Sequence, residues 1–353
     1  MKAFYCTCGW RVFFENTQCL GCGRRLGFDP GRGSVVALDA AEGDVYPSAS
    51  VVRPRRYRLC RNYRDHQICN WLVAADAAHD YCLACGLNEV IPSLAQAKNY
   101  LWWRNMEAAK RRLLYTLLKL DLPVVSKQDD PRNGLAFAFL QDRRHNPAVE
   151  HEMVLTGHND GLITVNVMEA DDAARESQRI DLNESYRTLL GHFRHESGHY
   201  YWERVVKGNG LLDEFRGLFG DEREHYASSL RCYYVQAGND GWPADYISAY
   251  ARAHPWEDWA ETWAHYLHMV DGLETACVFS ITKVGPDKDK FQQCLTEWAG
   301  LMVMLNELNR SVGQYDAYPF FLSERIANKL HFVHRTIHAA QRTRGFPVGP
   351  QDV

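Results

Sequence analysis

No stretch of this chain approaches the roughly 18 consecutive apolar residues that a bilayer-spanning helix requires, so the pattern predicts a protein without a membrane span. Positive charge is not in excess either. The 40 Lys and Arg stand against 44 Asp and Glu, and the net charge of −4 with a pI near 6.4 argues against a protein built to grip duplex nucleic acid. The first residues, Met1-Lys2-Ala3-Phe4-Tyr5-Cys6, carry no apolar core of a secretory signal, so the expected compartment is the cytoplasm. Internal repeats and low-complexity segments are also missing. What remains is an ordinary globular composition, 46% hydrophobic and 24% charged, over 353 residues. That length suits one large domain with an appendage, or two domains.

Cysteine is the residue in surplus, and eight of the eleven fall in the first 85 positions. In a small secreted chain they would read as disulfides; here they read as metal ligands. Cys6, Cys8, Cys19 and Cys22 form one set, and Cys60, Cys69, Cys82 and Cys85 a second. Two thiolates held two residues apart in a tight turn converge on one metal, and Gly23 and Gly86 suit the knuckle. Four thiolates close a tetrahedral site and leave no position for water, so each set predicts a structural Zn²⁺. A redox dithiol or an iron–sulfur cluster is the alternative, and ligand type and spacing favour zinc. Sequence leaves pairing across the two sets open. The usual work of such ribbons is stabilisation or docking of a protein partner. Cys232, Cys277 and Cys294 read as buried, inert thiols.

Gly31 to Pro54 reads as a linker or loose hairpin, and Arg53-Pro54-Arg55-Arg56 as a solvated basic stretch. A long helix is predicted from Ser93, with Gln96 completing a capping box, to Leu120; Leu101, Leu113, Leu117 and Leu120 should face inward, and Lys98, Arg104, Lys110 and Arg111 outward. Strands follow at 135–140, 154–157 and 162–167, the last two joined through His158-Asn159-Asp160-Gly161. Ile163, Val165 and Val167 should face a core. Beyond Asn183 the chain reads as mostly helical, at 184–206, 221–237, 244–252, 255–271, 287–310 and 323–342, with Ser323 capping the last. The expected class is therefore α+β: a mainly helical domain over 92–353 with a small β-sheet, preceded by a cysteine-rich zinc-ribbon region over 1–91.

The most informative run is His195-Glu196-Ser197-Gly198-His199. On a helix, positions i and i+4 share a face, so the two imidazoles can serve one metal with Glu196 beside them as general base. His192, one turn earlier, reads as a neighbour, and His151-Glu152 lacks the second histidine. An open zinc site needs a third protein ligand. The best source is the helix opened by Pro255, in which Glu257 and Glu261 fall one turn apart among Trp256, Trp259, Ala260, Trp263 and Ala264. Carboxylates among such residues are costly unless a metal or an imidazole satisfies them. Glu257 is the expected ligand and Glu261 the group hydrogen-bonded to a ligand histidine; Glu261 or His265 as direct ligand is the less favoured choice.

An HExxH run followed some tens of residues later by Glu-x-x-Ala-Glu resembles the gluzincin metallopeptidases, closest to the branch that includes the anthrax lethal factor catalytic domain. That resemblance implies a zincin-like domain, Glu257 as third ligand, Glu261 behind a histidine, and a role for Tyr250, seven residues before Glu257. The whole chain is similar to the bacterial family of zinc-binding metallopeptidases with an amino-terminal zinc ribbon, on the paired cysteines, Gly191 to Trp202 and His254 to Glu261. The function expected is hydrolysis of a peptide or related amide. His195, His199 and Glu257 would hold the catalytic Zn²⁺, Glu196 would act as base, and Tyr250, or else His254, would donate to the oxyanion. The strand at 162–167, if it is a free edge, would pair with an extended peptide. The rival reading is a zinc-ribbon adaptor whose HExxH domain binds without catalysis.

Overall fold

The computed structural model describes residues 3–50, 54–144, 146–182, 184–236 and 244–342. Arg53, Asn183 and residue 237, each included in an expectation above, lie outside them. The architecture is α+β, mainly helical with small sheets, and the chain divides into two compact units, Met1–Asp171 and Asp172–Val353. The expected domain boundary at 91/92 falls inside the first unit. Among the described residues, no helix is long and apolar enough to cross a membrane.

In the first unit, β1 (Phe4–Tyr5) and β2 (Arg11–Val12) form an antiparallel pair, as do β3 (Arg25–Asp29) and β4 (Ser34–Leu38). A three-stranded sheet runs β5 (Val45–Pro47), β6 (Arg56–Leu59), β7 (Leu72–Ala74), with the short helix α1 (Arg61–His66) after Cys60. The segment 31–54, expected as a linker or loose hairpin, contributes β4 and β5, joined by antiparallel bridges at Leu38–Ser48 and Glu42–Val45. Phe14, Phe28 and Trp71 make the core of this region, with centroids 4.9 Å apart for Phe14–Phe28 and for Phe28–Trp71. Tyr115 joins them, 5.4 Å from Phe14, and it comes from the long helix α2 (Ala97–Lys119).

Helix α2 departs from its amphipathic reading. It starts at Ala97 rather than at a Ser93 cap: Gln96 is the cap position, and the Ser93 carbonyl instead accepts from the Asn99 side chain at 2.8 Å. Leu101 is exposed, whereas Lys110 and Arg111 are buried. The reason is ion pairing with Glu107 on the same helix, completed by hydrogen bonds to the cysteine-rich segment. Lys110 Nζ lies 2.9 Å from Glu107 Oε1 and also donates to Asn88 Oδ1, while Arg111 donates to the Ile68 carbonyl at 2.8 Å. Buried charges persist only when so compensated.

The remaining sheet orders β10 (Gly157–Asn159), β11 (Leu162–Asn166), β9 (Ala136–Leu140), β8 (Asn88–Val90). Asn159 pairs with Leu162 around Asp160-Gly161, both at positive φ (45° and 85°), the two-residue turn that Asp-Gly favours. Ile163, Val165 and Val167 are buried as predicted. The strand at 162–167 is not a free edge: β10 pairs on one side and β9 on the other, so its backbone groups are already used. Because β8 pairs with β9, the cysteine-rich segment and the segment after α2 share one sheet.

The second unit comprises α3 (Asp172–Asp181), α4 (Leu189–Trp202), α5 (Leu212–Phe219), α6 (Tyr226–Gln236), α7 (Pro255–Val278), α8 (Phe291–Ser311) and α9 (Glu324–Arg342). Ser323 Oγ accepts from Ile326 N at 3.2 Å, so the expected cap forms. The expected helix at 244–252 is reduced to a 3₁₀ turn at Tyr250–Ala253. Helix α7 is the spine, packing against α4, α5, α8, α9 and that turn. Its Trp259 and Trp263 are fully buried, together with Tyr200 and Tyr201 of α4. Of the scattered cysteines only Cys294 is buried; Cys232 is exposed on α6 and Cys277 is half-buried.

Candidate metal centre

Helix α4 begins where the Thr188 hydroxyl accepts the Gly191 amide at 3.0 Å, and it widens into a π-helical turn over Glu203–Lys207. Helix α7 begins at Pro255, capped by His254, whose Nδ1 accepts the Trp256 amide at 3.1 Å. The two helices meet at small residues. A Cβ on Gly198 would come within 3.0 Å of Ala260 Cα, the Trp259 indole donates to the Gly198 carbonyl at 2.8 Å, and the Trp263 indole donates to Ser197 Oγ at 3.1 Å. Arg194 closes an ion pair with Asp271 at 2.6 Å. This contact turns one face of each helix toward the other.

His195, His199 and Glu257 come together there, their ligand atoms all within 4.8 Å of one another. Glu257 Oε2 lies 3.0 Å from His195 Nε2 and 3.5 Å from His199 Nε2. A tetrahedral ion with bonds near 2.0–2.1 Å separates its donors by about 3.3 Å, so these spacings fit a zinc ion. His195 Nδ1 contacts Glu261 Oε1 at 2.7 Å, and Glu261 Oε2 accepts the Ser248 hydroxyl at 2.6 Å. A carboxylate behind the ring fixes the imidazole's orientation and leaves Nε2 for the ion. His265 is elsewhere, buried and hydrogen-bonded through Nδ1 to Tyr318 at 2.8 Å.

The electrostatics favour a cation. Burial alone would depress the His195 pKa, yet its bonds to Glu257 and Glu261 outweigh that and hold it well above the ordinary histidine value. Burial likewise works to raise Glu257, and His199 and His195 overcome it, leaving the carboxylate well below its usual range. Glu196 is pushed up by burial, against the pull of the two histidines. Three acids thus gather around two imidazoles.

Tyr250 lies beside the centre, its ring centroid 5.9 Å from that of His195, and burial near Glu257 keeps its phenol protonated. His254, the alternative to Tyr250 as oxyanion donor, is engaged otherwise. Its Nδ1 caps α7 and its Nε2 donates to the Glu224 carbonyl at 3.1 Å, so both ring nitrogens are committed to backbone. Three contacts were invisible to motif reading: Tyr226 donates to Glu257 Oε1 at 2.7 Å, Ser248 binds Glu261, and the Trp256 ring packs 4.3 Å from that of His199. Only Trp256 had a local signal, its place one residue before Glu257.

The cysteines gather as two separate fours, Cys6, Cys8, Cys19, Cys22 and Cys60, Cys69, Cys82, Cys85, which resolves the open question of pairing. Sulfur–sulfur distances are 3.6 Å for Cys6–Cys22, 3.7 Å for Cys8–Cys19 and 3.6 Å for Cys69–Cys82. A tetrahedron of about 2.3 Å Zn–S bonds has edges of about 3.8 Å, so the thiols fit zinc rather than a disulfide. Backbone amides reinforce the second site, Trp71 N to Cys69 Sγ at 3.3 Å and Cys82 N to Cys60 Sγ at 3.4 Å. All four thiols of that site are buried, whereas Cys8 and Cys22 of the first are exposed.

Comparison with known proteins also points to zinc. Residues 3–96 match a zinc-ribbon domain family, and residues 99–336 match the family described as "Putative zinc-binding metallo-peptidase". Uncharacterised proteins of Mycobacterium bovis and of two strains of Mycobacterium tuberculosis are each 39% identical over 348 residues, covering 96% of this chain and 95% of theirs. No solved structure matches. With a match spanning most of its length and thiol and imidazole sites that suit zinc, the chain belongs to that zinc-binding metallopeptidase family and carries the zinc ribbon at its amino-terminal end.

Proposed function

We propose that this chain is a zinc-dependent hydrolase of peptide or related amide bonds, of the gluzincin type, with one catalytic and two structural zinc ions. His195, His199 and Glu257 would hold the catalytic ion, and the two cysteine fours the structural ones. The ion, when bound, supplies Lewis acidity to a water and to the scissile carbonyl. Glu196 sits one residue from a ligand histidine, buried and with its pKa raised, which suits a group that takes a proton from water and returns it to the leaving amine. Tyr250, its ring 5.9 Å from that of His195, would donate to the developing oxyanion. Glu261, braced by Ser248, keeps the His195 ring from rotating. The substrate is a peptide or protein, and the ribbons offer a place for a protein partner; the acidic balance disfavours nucleic acid, and the cytoplasm is the expected compartment.

The observation that carries this reading is the convergence of His195, His199 and Glu257 from two helices 62 and 58 positions apart in sequence, with Glu196 intact beside them. The test is a Glu196→Gln chain assayed on a peptide pool. Hydrolysis should fall by roughly 10²–10⁴-fold while elemental analysis still finds three zinc ions per chain. Absence of turnover in the fully loaded wild type would leave the adaptor reading instead.

A further inference from the structure

Glu257 has two carboxylate oxygens, and the structure uses them differently. Oε2 faces the imidazoles, 3.0 Å from His195 Nε2 and 3.5 Å from His199 Nε2. Oε1 accepts the Tyr226 hydroxyl at 2.7 Å. A carboxylate left free can chelate an ion through both oxygens, which would occupy a position that a hydrolytic centre keeps for water and substrate. We propose that Tyr226 is a positioning residue that reserves Oε1 of Glu257, so that the carboxylate offers a bound cation one oxygen only; the inference rests on the metal-centre reading and deepens it.

The bond is not an accident of core packing. Tyr226 is the first residue of α6, and every described side chain of that helix is exposed or half-buried. What aims the phenol is local. His254 Nε2 holds the Glu224 carbonyl at 3.1 Å, two residues upstream, and the His254 and Trp256 rings meet Tyr226 edge-on at 5.2 and 6.1 Å. The residue that caps α7 therefore also ties down the segment that delivers the hydroxyl to a ligand on α7.

The test uses the full chain with its ribbon zinc retained and the metal of the histidine centre exchanged for Co²⁺. Absence of thiolate-to-cobalt charge transfer shows that only that centre was exchanged. The wild type should give the strong visible d–d absorption of four-coordinate cobalt. In Tyr226→Phe that band should weaken toward five-coordinate intensity, and chelator competition should show the site binding metal roughly tenfold or more less tightly. Tyr234→Phe, on the same helix, should change neither. An unaltered spectrum and affinity in Tyr226→Phe would overturn the proposal. Should that variant not fold, the wild-type spectrum decides: four-coordinate cobalt supports the proposal, and five- or six-coordinate cobalt overturns it. Neither readout needs turnover. A chain that cleaves nothing but shows the cobalt change loses the hydrolase and keeps this inference; Glu196-dependent cleavage with an unmoved cobalt band does the reverse.

Discussion

Gly198 occupies one of the two positions that the HExxH spacing leaves free, and its lack of a side chain sets how closely α4 and α7 approach. Its Cβ would meet Ala260 Cα at 3.0 Å and Trp263 at 3.1 and 3.2 Å, and neither a helix backbone nor a fully buried indole can give way cheaply. Gly198→Val should therefore destabilise the chain by about 1–3 kcal/mol and weaken metal binding at His199 and Glu257. Urea unfolding and chelator competition measure the two; wild-type values in both would show that the helices tolerate the spread. The HExxH histidines were legible because a helix imposes their shared face, and Glu257 because a buried acid calls for compensation. Tyr226 and Ser248 were not, since each reaches its carboxylate through tertiary contact, 31 and 13 positions away in sequence. That His254 caps α7 was not legible, because a histidine next to Pro255 looks the same from sequence whether its ring faces the backbone or the centre.

At the scale of elements, α2 shows where periodicity fails. Leu113 and Leu117 are buried as their spacing predicts, yet so are Lys110 and Arg111, whose partners Asn88 and Ile68 belong to the cysteine-rich segment. The second cysteine site lies close by, with Cys85 Sγ 3.9 Å from Glu107 Oε2. A chain cut to 92–353 would lose β8 from the edge of β9 and leave Glu107, Lys110 and Arg111 without part of their pairing. The ion pairs within α2 stay, but a buried charged group short of a hydrogen-bond partner typically costs about 1–3 kcal/mol or more. The expected outcome is an insoluble or partly unfolded fragment, judged by expression and far-ultraviolet circular dichroism; a soluble fragment with native helix content would show that the ribbons are separable.

For the molecule as a whole, acid should act on the second unit through buried histidines as well as through metal release. Burial lowers the His265 pKa to about 4 from an ordinary 6.5, and lowers His334 to about 4 as well. Above pH 6.5 such a ring is neutral in both folded and unfolded chain, and its full contribution to stability is present. Between 6.5 and about 4 only the unfolded chain takes up the proton, so stability falls with falling pH, and below about 4 the loss is complete. For His265 that loss amounts to about 3 kcal/mol. His265→Gln should flatten the dependence of unfolding free energy on pH across that window. Ligand protonation acts equally on both proteins, so identical slopes would remove His265 from the account.

Sequence alone determined which residues could hold metal: local spacing decides whether thiolates or imidazoles share a turn or a face, and that geometry follows from the backbone. It also determined the α+β character, because apolar periodicity distinguishes helix from strand, and the Asp160-Gly161 turn, because few residues accept positive φ. Only the tertiary structure decided which four cysteines belong together, that the strand at 162–167 is covered on both sides, that Lys110 and Arg111 lie inside, and that a tyrosine from a solvent-exposed helix reaches Glu257. Each of these depends on which distant segments come into contact, and packing sets that while the spacing of residues along the chain does not.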